Sequence, residues 1–186
     1  MEIKSEKILY QHSHNDTLAF LIPDGDQSEK MSCVPAPFRR LFDSIDLLAI
    51  SLKTGDAHYF PFTSTASVIL AGVGKLSDIS PESLRLAASG CALACRKHRI
   101  ARLNFVVPEI ARLSSESALT AITEAIMLAP YSFEKYKSRR DSGDTPLARA
   151  VIHSDHESAS EIIARTQTIC SNTLLCRDLV NETSDS

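Results

Sequence analysis

The chain has 186 residues, of which 44% are hydrophobic and 23% are charged, which is the composition of an ordinary globular protein with enough apolar side chains for one core. The formal net charge of −3 provides no basic field for nucleic acid or an anionic membrane, and no apolar run approaches the roughly 20 residues that span a bilayer. The N-terminus lacks the apolar core of a signal peptide and the five cysteines lack disulfide-framework spacing, so we expect a reduced, cytoplasmic protein.

The first half of the chain predicts three strands and one helix. The apolar run Thr17–Pro23 ends in Pro-Asp-Gly and predicts a strand and a turn, and the polar residues 24–37 predict a loop. Apolar side chains recur at helical spacing over Phe38–Leu52, so a helix is expected over most of this range. Strands are predicted at His58–Thr63 and Ser67–Val73, the second so apolar that both its faces should be covered.

The second half of the chain predicts an alternation of helices and strands. Ser80, Pro81 and Glu82 favour a helix start, because serine caps, proline tolerates the first helical position and glutamate favours the positive helix end. This helix should reach His98. The elements predicted after it are a strand at Leu103–Val107, a helix at Ser114–Leu128, a loop at Arg139–Pro146, a strand at Leu147–His153 and a long helix from about Asp155. The long helix is expected to have one apolar face, formed by Ala159, Ile162, Ile163, Thr166, Ile169, Cys170, Thr173 and Leu174. The alternation predicts a three-layer α/β fold with a mostly parallel central sheet and helices on both faces.

Several segments carry a family resemblance through their order and spacing over residues 66–182. They are the strand and turn LAGVGK (70–75), the helix ESLRLAASGCALACRK (82–97), the strand LNFVVP (103–108), the segment AITEAIMLAPYSFEKYKS (121–138) with Tyr131, Phe133, Tyr136 and Lys137, and CRDLVNE (176–182). Together they resemble the amino-terminal domain of the leucyl aminopeptidase, or cytosol aminopeptidase, family. In the family an Arg-Asp-Leu-x-Asn segment lies on the helix that leads into the catalytic domain.

The resemblance implies a fold and a division of the chain. Residues 1–154 would form a domain similar to the macro domain, and residues 155–186 a long helix and the start of a linker. The parent protein would be a cytoplasmic homo-hexamer that releases N-terminal amino acids from peptides. This domain would contact its own catalytic domain and contribute to assembly and to substrate access. One departure stands out: the family usually has a proline soon after the asparagine at position 181, but Thr183 to Ser186 follow here.

The family's catalytic signatures are absent from this sequence. The family holds two divalent metal ions, zinc or manganese, with a Lys-Gly-x-x-x-Asp-x-Gly-Gly segment and an Asn-Thr-Asp-Ala-Glu-Gly-Arg segment, and neither occurs here. Two-metal hydrolysis needs clustered carboxylates that clamp the metals and activate water. We therefore predict no catalytic, cofactor-binding or metal-binding residue in this segment, and no activity of the segment alone.

Two alternatives to the accessory-domain hypothesis stay open. A free-standing macro-like module for ADP-ribose or a related nucleotide would use the glycine turn Gly72–Lys75, although this turn lacks P-loop spacing and also fits a tight turn that uses the positive φ of glycine. A DNA-binding regulator would use the basic cluster Lys135–Arg140 beside Tyr131 and Tyr136. Two further basic clusters, Arg39-Arg40 and Arg96–Arg102, also fit solvated helix ends.

Three groups of side chains have the chemistry of metal ligands. They are His12, His14 and Asp16; His153, Asp155 and His156; and Cys91, Cys95 and His98. A simpler hypothesis exists for two of them, because Asp155 could cap a helix and the two cysteines lie among alanines as small core residues. Arg177 and Asp178 could form surface ion pairs. We favour a role in aligning two domains, since Leu174, Leu179 and Val180 would otherwise leave apolar surface exposed nearby.

Overall fold

The structure is a computed structural model, and it describes residues 1–7, 17–43, 45–61, 67–107, 113–133, 135–136 and 147–182. Within these ranges the strands are β1 (Glu2–Glu6), β2 (Thr17–Ile22), β3 (Ala57–Phe60), β4 (Ser67–Gly72), β5 (Arg102–Val106) and β6 (Arg149–His153). The α-helices are α1 (Gln27–Ser32), α2 (Pro81–Lys97), α3 (Ser115–Leu128) and α4 (Ala159–Asn181), and 3-10 helices cover Ala36–Phe42, Leu47–Ala49 and Leu76–Asp78.

The described strands form one sheet of six in the order β1-β6-β5-β2-β4-β3. Every neighbouring pair is parallel except β3 and β4, which are antiparallel at one edge. The predicted α/β fold with a mostly parallel sheet is therefore confirmed. The prediction for Ser67–Val73 is also confirmed, because Val68 and Leu70 pack on one face of the sheet and Ile69 and Ala71 on the other.

Three long helices cover the first face of the sheet. The predicted start of α2 is confirmed: Ser80 Oγ accepts a hydrogen bond from the Ser83 amide at 3.2 Å, and Ser83 Oγ accepts one from the Ser80 amide at 2.9 Å. The Arg85 guanidinium joins α2 to α3, because its Nε and Nη2 atoms lie 2.9 and 2.7 Å from a Glu124 carboxylate oxygen. The predicted range of α3 is confirmed to within one residue, with Ser114 as its capping residue.

Short helices cover the second face, and here one prediction is wrong. The single helix expected over Phe38–Leu52 is replaced by two 3-10 helices. The Asp46 carboxylate accepts hydrogen bonds from the Leu48 and Ala49 amides and so starts a new helix. The rings of Phe38 and Phe42 both pack edge-to-face on Phe20 of β2, with centroids 5.4 and 5.2 Å away. Contact with the sheet thus overrides the helical spacing of the sequence.

Two elements in the first third of the chain were not predicted. Helix α1 lies in the range expected to be a loop, and the Asp26 carboxylate caps it by accepting a hydrogen bond from the Glu29 amide at 2.9 Å. Strand β1 pairs with β6 at the other edge of the sheet and buries a single side chain, Ile3. An edge strand with one buried residue lacks the apolar alternation by which strands are found in a sequence.

The ends of some elements also differ from the prediction. Helix α4 begins at Ala159, not near Asp155, and Ser158 occupies the N-cap position without a side-chain capping bond, so the predicted capping role of Asp155 is wrong. The strand expected over His58–Thr63 is described from Ala57 to Phe60. The predicted loop at 139–146 lies outside the described residues, as does the cluster of His12, His14 and Asp16.

Candidate interface at the end of the long helix

Helix α4 has two halves with opposite surroundings. Its first half packs on α3 and β1, and five side chains are buried there: Ala159, Ile162, Ile163, Thr166 and Cys170. Its 23 residues make a helix about 35 Å long, whereas a strand of five residues is about 17 Å long. Because the helix is longer than the sheet it covers, its second half has little core to pack against.

The second half of α4 exposes a row of apolar side chains. The exposed fractions are 57% for Ile169, 55% for Leu175, 64% for Leu179 and 83% for Val180. At 100° per residue these four side chains lie within about 140° of the helix surface. The expectation that Ile169 joins the buried face is wrong, because the buried position beside it is taken by Cys170, which is 1% exposed. Of the three apolar side chains expected to leave surface exposed, Leu179 and Val180 are exposed and Leu174 is half-buried.

The second half of α4 also carries polar side chains that contact the segment following α3. The Tyr131 hydroxyl donates a hydrogen bond to Asp178 Oδ1 at 2.8 Å and accepts one from Asn181 Nδ2 at 3.3 Å. The Arg177 guanidinium lies over the Tyr131 ring, 5.6 Å from its centroid. Arg177 and Asp178 thus both contact Tyr131 at the surface.

Charged and aromatic side chains extend this contact to the end of the helix. Lys135 forms an ion pair with Glu182, and its ammonium group lies 5.7 Å from the centroid of the Tyr136 ring. The rings of Phe133 and Tyr136 pack edge-to-face with centroids 5.7 Å apart. The hydrogen bond to Glu182 raises the pKa of Lys135, and partial desolvation followed by the hydrogen bond to Asp178 raises the pKa of Tyr131.

The two most distinctive segments of the sequence resemblance therefore meet in space. Tyr131 and Asp178 are 47 residues apart in the chain, yet their side chains are hydrogen-bonded. No spacing rule pairs residues so far apart, so the sequence placed each motif on its own element and did not predict the contact. Asn181 was part of the motif, but nothing in the sequence indicated that its amide binds a tyrosine hydroxyl.

The first two amides of the glycine turn after β4 donate hydrogen bonds to backbone carbonyls. The Gly72 amide donates to the Asp56 carbonyl at 2.9 Å, and the Val73 amide donates to the Ile22 carbonyl at 3.0 Å. A Cβ atom at Gly72 would lie 2.2 Å from the Leu52 carbonyl oxygen, so this glycine permits the close approach of another chain segment. Amides that already bind carbonyls cannot cradle a phosphate. The geometry favours the structural interpretation of this turn, which Gly74 supports with its positive φ of 78°.

The candidate metal ligands within the described residues are placed apart or turned toward other partners. His153 is buried at the end of β6, with its Nε2 atom 3.1 Å from Asn104 Oδ1, whereas His156 lies on the surface before α4. Cys91 and Cys95 are buried in the core, but His98 is exposed and packs on the Tyr59 ring at 4.4 Å between centroids. Across the ranges that the structure describes, no three His, Cys, Asp or Glu side chains are grouped to hold a metal ion.

The four buried thiols are all less acidic than an exposed thiol. Burial raises the pKa of Cys91 well above its usual value and that of Cys95 to about 12. Burial also raises the pKa values of Cys33 and Cys170. All five cysteines lie in the described ranges, and Cys176, on the second half of α4, is the exposed one. Since the thiolate is the reactive form, Cys176 is the natural site for chemical labelling.

Two of the three basic clusters lie at helix ends. Arg39 and Arg40 end the first 3-10 helix, and Arg39 Nε donates a hydrogen bond to the Val34 carbonyl at 3.2 Å. The cluster from Arg96 to Arg102 surrounds the C-terminus of α2, where cations are favoured by the helix dipole. Of the third cluster, the structure describes Lys135, which pairs with Glu182, while residues 137–140 lie outside the described ranges.

No helix in the described ranges is long and apolar enough to cross a membrane.

A shallow cavity of about 200 Å³ lies at the other end of α4. Its walls include His156 and Ser158 from the segment before the helix and Glu161 from its first turn. Arg165 and Glu116, which also line it, form an ion pair at 2.6 Å that joins α4 to α3. The charge of the arginine is therefore compensated within the cavity wall.

The described strands and helices define an α/β domain with a mostly parallel sheet. The family model for the cytosol aminopeptidase family, N-terminal domain, matches residues 47–140, which is half of the chain. The chain belongs to the cytosol aminopeptidase family, and its matched region is the family's N-terminal domain. The resemblance predicted from the sequence motifs is thereby confirmed.

Relatives and solved structures agree with this assignment. The chain is 28% identical over 120 residues to a probable cytosol aminopeptidase of Protochlamydia amoebophila, covering 63% of this chain and 24% of the relative. It is 32% identical over 114 residues to a probable cytosol aminopeptidase of Microcystis aeruginosa, covering 61% of this chain and 23% of the relative. This chain spans about a quarter of the length of these relatives.

Two solved structures share the fold at low sequence identity. A mutant of tomato leucine aminopeptidase superposes with a TM-score of 0.77 and 19% identity, covering 99% of this chain and 39% of that one. The bottromycin maturation enzyme BotP superposes with a TM-score of 0.68 and 20% identity, covering 90% of this chain and 33% of that one. These superpositions extend the assignment of the fold to nearly the whole chain, including α4.

Proposed function

We propose that this chain is the non-catalytic N-terminal domain of a longer metallo-aminopeptidase, and that the exposed apolar face of α4 packs against its catalytic domain. The relatives are about four times longer than the matched region, so they have room for a catalytic domain that this chain lacks. The observation that carries the proposal is the row of exposed apolar side chains at Ile169, Leu175, Leu179 and Val180. Contiguous apolar surface on a globular protein marks an interaction site.

The parent protein in this proposal releases N-terminal amino acids from peptides in the cytoplasm. Two divalent metal ions, zinc or manganese, would polarise the scissile carbonyl and activate water. A BotP structure is described as a complex with Mn, which agrees with a metal requirement in similar proteins. The described residues of this chain offer no grouped ligands for such ions, so no catalytic step is assigned to them.

The accessory domain would contribute to assembly of the oligomer and to the access of peptides to the active site. In the proposed homo-hexamer it would lie outside the catalytic core and limit which peptides reach the active site. The proposed boundary follows residue 154, and residues 155–186 would carry the helix and the start of the linker. The end of β6 at His153 supports this boundary, and the second half of α4 extends past the domain as the start of a linker would, while the first half packs on the domain core.

A comparison of two proteins tests the proposal. The first is this 186-residue chain, and the second is the product of the whole reading frame that contains it. We expect the longer protein to hydrolyse leucine p-nitroanilide with added Mn²⁺ or Zn²⁺ and to lose this activity with EDTA, and the 186-residue chain to show no hydrolysis above background. A stop codon directly after Ser186, or metal-dependent hydrolysis by the 186-residue chain, would contradict the proposal.

A further inference from the structure

The second half of α4 has few apolar contacts with the core, yet it is contacted on one side by the segment after α3. That segment, residues 131–133 and 135–136, is here called the clamp segment. Its contacts are the hydrogen bonds of Tyr131 with Asp178 and Asn181, the Arg177 guanidinium over the Tyr131 ring and the ion pair of Lys135 with Glu182. They span the last two turns of the helix.

We propose that the clamp segment fixes the direction of the last two turns of α4, with Tyr131 as the positioning residue. A helix end with exposed backbone and few buried contacts frays, because local opening there costs little free energy. Tyr131 opposes this fraying because its single hydroxyl joins two side chains one turn apart, Asp178 and Asn181. The apolar row of α4 is thereby presented at a fixed angle to the sheet.

The arrangement of side chains around α4 supports this role. At 100° per residue, Arg177, Asp178 and Asn181 lie on the side of the helix that continues the buried face of Ile163 and Cys170. Leu175 and Leu179 lie on the other side, and Val180 lies at the edge of the buried face, at the same angle as Ile162. The clamp segment therefore holds the helix by its polar face and leaves its apolar face free. A contact that served only to cover apolar surface would have engaged the leucines.

The consequence for the whole protein rests on the proposed function. If a catalytic domain packs on the apolar row, the clamp segment holds this row in one orientation before docking. Less conformational entropy is then lost when the domain docks. The clamp itself exists in the 186-residue chain and is tested there. A negative result for the clamp would not affect the proposed aminopeptidase function. A negative result for the aminopeptidase function would not affect the clamp.

The test is amide hydrogen exchange of the 186-residue chain and its Tyr131→Phe variant. This substitution removes one hydroxyl and keeps the ring under Arg177. We expect amides of Leu175–Asn181 to exchange about three- to tenfold faster, as for the loss of one or two hydrogen bonds at a locally opening helix end. Amides of Ala159–Cys170 should be unchanged. No change in Leu175–Asn181, or an equal acceleration in both halves of α4, would overturn the proposal.

A matched control and a coupling measurement complete the test. Tyr59→Phe removes a hydroxyl that donates to Ser67 Oγ at 3.1 Å, and it should leave exchange of α4 unchanged. Asp178→Ala alone should accelerate exchange as Tyr131→Phe does, and the double variant should add little, because both changes break the same contact. Additive effects in the double variant would mean that the two side chains act independently, which contradicts the clamp.

Raising the pH gives a readout that packing alone would not give. Ionisation of Tyr131 removes the proton that it donates to Asp178 and places two negative charges side by side. Partial desolvation and the hydrogen bond to Asp178 raise the pKa of Tyr131, so the clamp should open only above the usual range of a tyrosine. Lys135 also loses its charge and its ion pair with Glu182 at high pH in both proteins, so the contribution of Tyr131 is the difference between them. The acceleration of Leu175–Asn181 at high pH should be larger in the wild type than in Tyr131→Phe, and equal acceleration in the two would contradict the assignment.

Discussion

The two halves of α4 belong to one continuous helix but are stabilised in different ways. The first half is held by burial of apolar side chains such as Ile163, which is 2% exposed. The second half is held by one tyrosine and an ion pair on its polar face, and it presents its apolar side chains to solvent. A single stretch of helical sequence can thus serve the core of its own domain at one end and an interface at the other. Predictions that contrast the two halves test this account.

The largest contrast is expected in stability. Ile163→Ala removes a buried side chain and leaves a cavity, so the free energy of unfolding should fall by about 3 kcal/mol. Leu179→Ala removes an exposed side chain, and the change should stay within about 0.5 kcal/mol. Urea unfolding followed by circular dichroism measures both. Equal losses in the two variants would mean that the second half also contributes to the core.

The next contrast is in the reactivity of two thiols on the same helix. Cys176 is exposed, whereas burial and then the nearby Glu124 raise the pKa of Cys170. With a disulfide reagent at pH 8, Cys176 should react on the order of 100-fold faster than Cys170, which must wait for local opening. Mass spectrometry of labelled peptides separates the two sites. Similar rates would show that the first half of α4 opens as readily as the second.

A smaller contrast concerns stability in base. Burial raises the pKa of Cys95 to about 12 from a usual value of 9.0. A thiol whose pKa is raised in the folded state stabilises the protein fully below the usual pKa, and this contribution is lost as the pH rises from about 9 to about 12, by up to about 1.4 kcal/mol per pH unit. The wild type should therefore lose stability more steeply than Cys95→Ala over this window.

The exposed thiol provides the control for the same measurement. Cys176→Ala serves as the control, because it removes the exposed thiol and leaves the buried ones in place. Denaturant unfolding at a series of pH values from 8 to 11 measures all three proteins. Identical slopes for the wild type and Cys95→Ala would contradict the assignment of Cys95 to the core.

The smallest contrast uses two matched threonines. Thr166 and Thr173 each donate a hydrogen bond to the carbonyl four residues earlier, at 2.8 and 3.0 Å, but Thr166 is 2% exposed. Thr166→Ser removes one buried methyl group and should cost about 0.8 kcal/mol, whereas Thr173→Ser should cost about 0.3 kcal/mol or less. Thermal unfolding of the two variants compares them directly, and a larger loss for Thr173→Ser would reverse the account.

Local signals in the sequence predicted the elements that depend on local physics. The range of α2 followed from Ser80 and Pro81, and the cover on both faces of β4 followed from its continuous apolar run. The prediction was wrong where contacts between distant residues decide the outcome. Phe38 and Phe42 pack on Phe20 of β2, and the 38–52 segment forms two short helices. The spacing of residues within that segment does not predict its contact with Phe20.

The candidate interface shows the same limit. The motifs around Tyr131 and Asp178 were visible in the sequence, and the exposed apolar character of Leu179 and Val180 was expected from their place near the end of the helix. The hydrogen bond between Tyr131 and Asp178 depends on how α4 lies across α3, which only the fold supplies. Ile169 was predicted to be buried but is exposed. From the sequence alone, an apolar residue beside the buried face of a helix cannot be distinguished from one within that face.

The most direct test of the central claim is the labelling rate of Cys176 in two proteins, this 186-residue chain and the product of its whole reading frame. The thiol lies among the exposed apolar residues of α4, so a docked catalytic domain should cover it. We expect at least about tenfold slower labelling in the longer protein, with Cys170 equally slow in both. Equal labelling of Cys176 in the two proteins would show that this face does not dock, and would contradict the account.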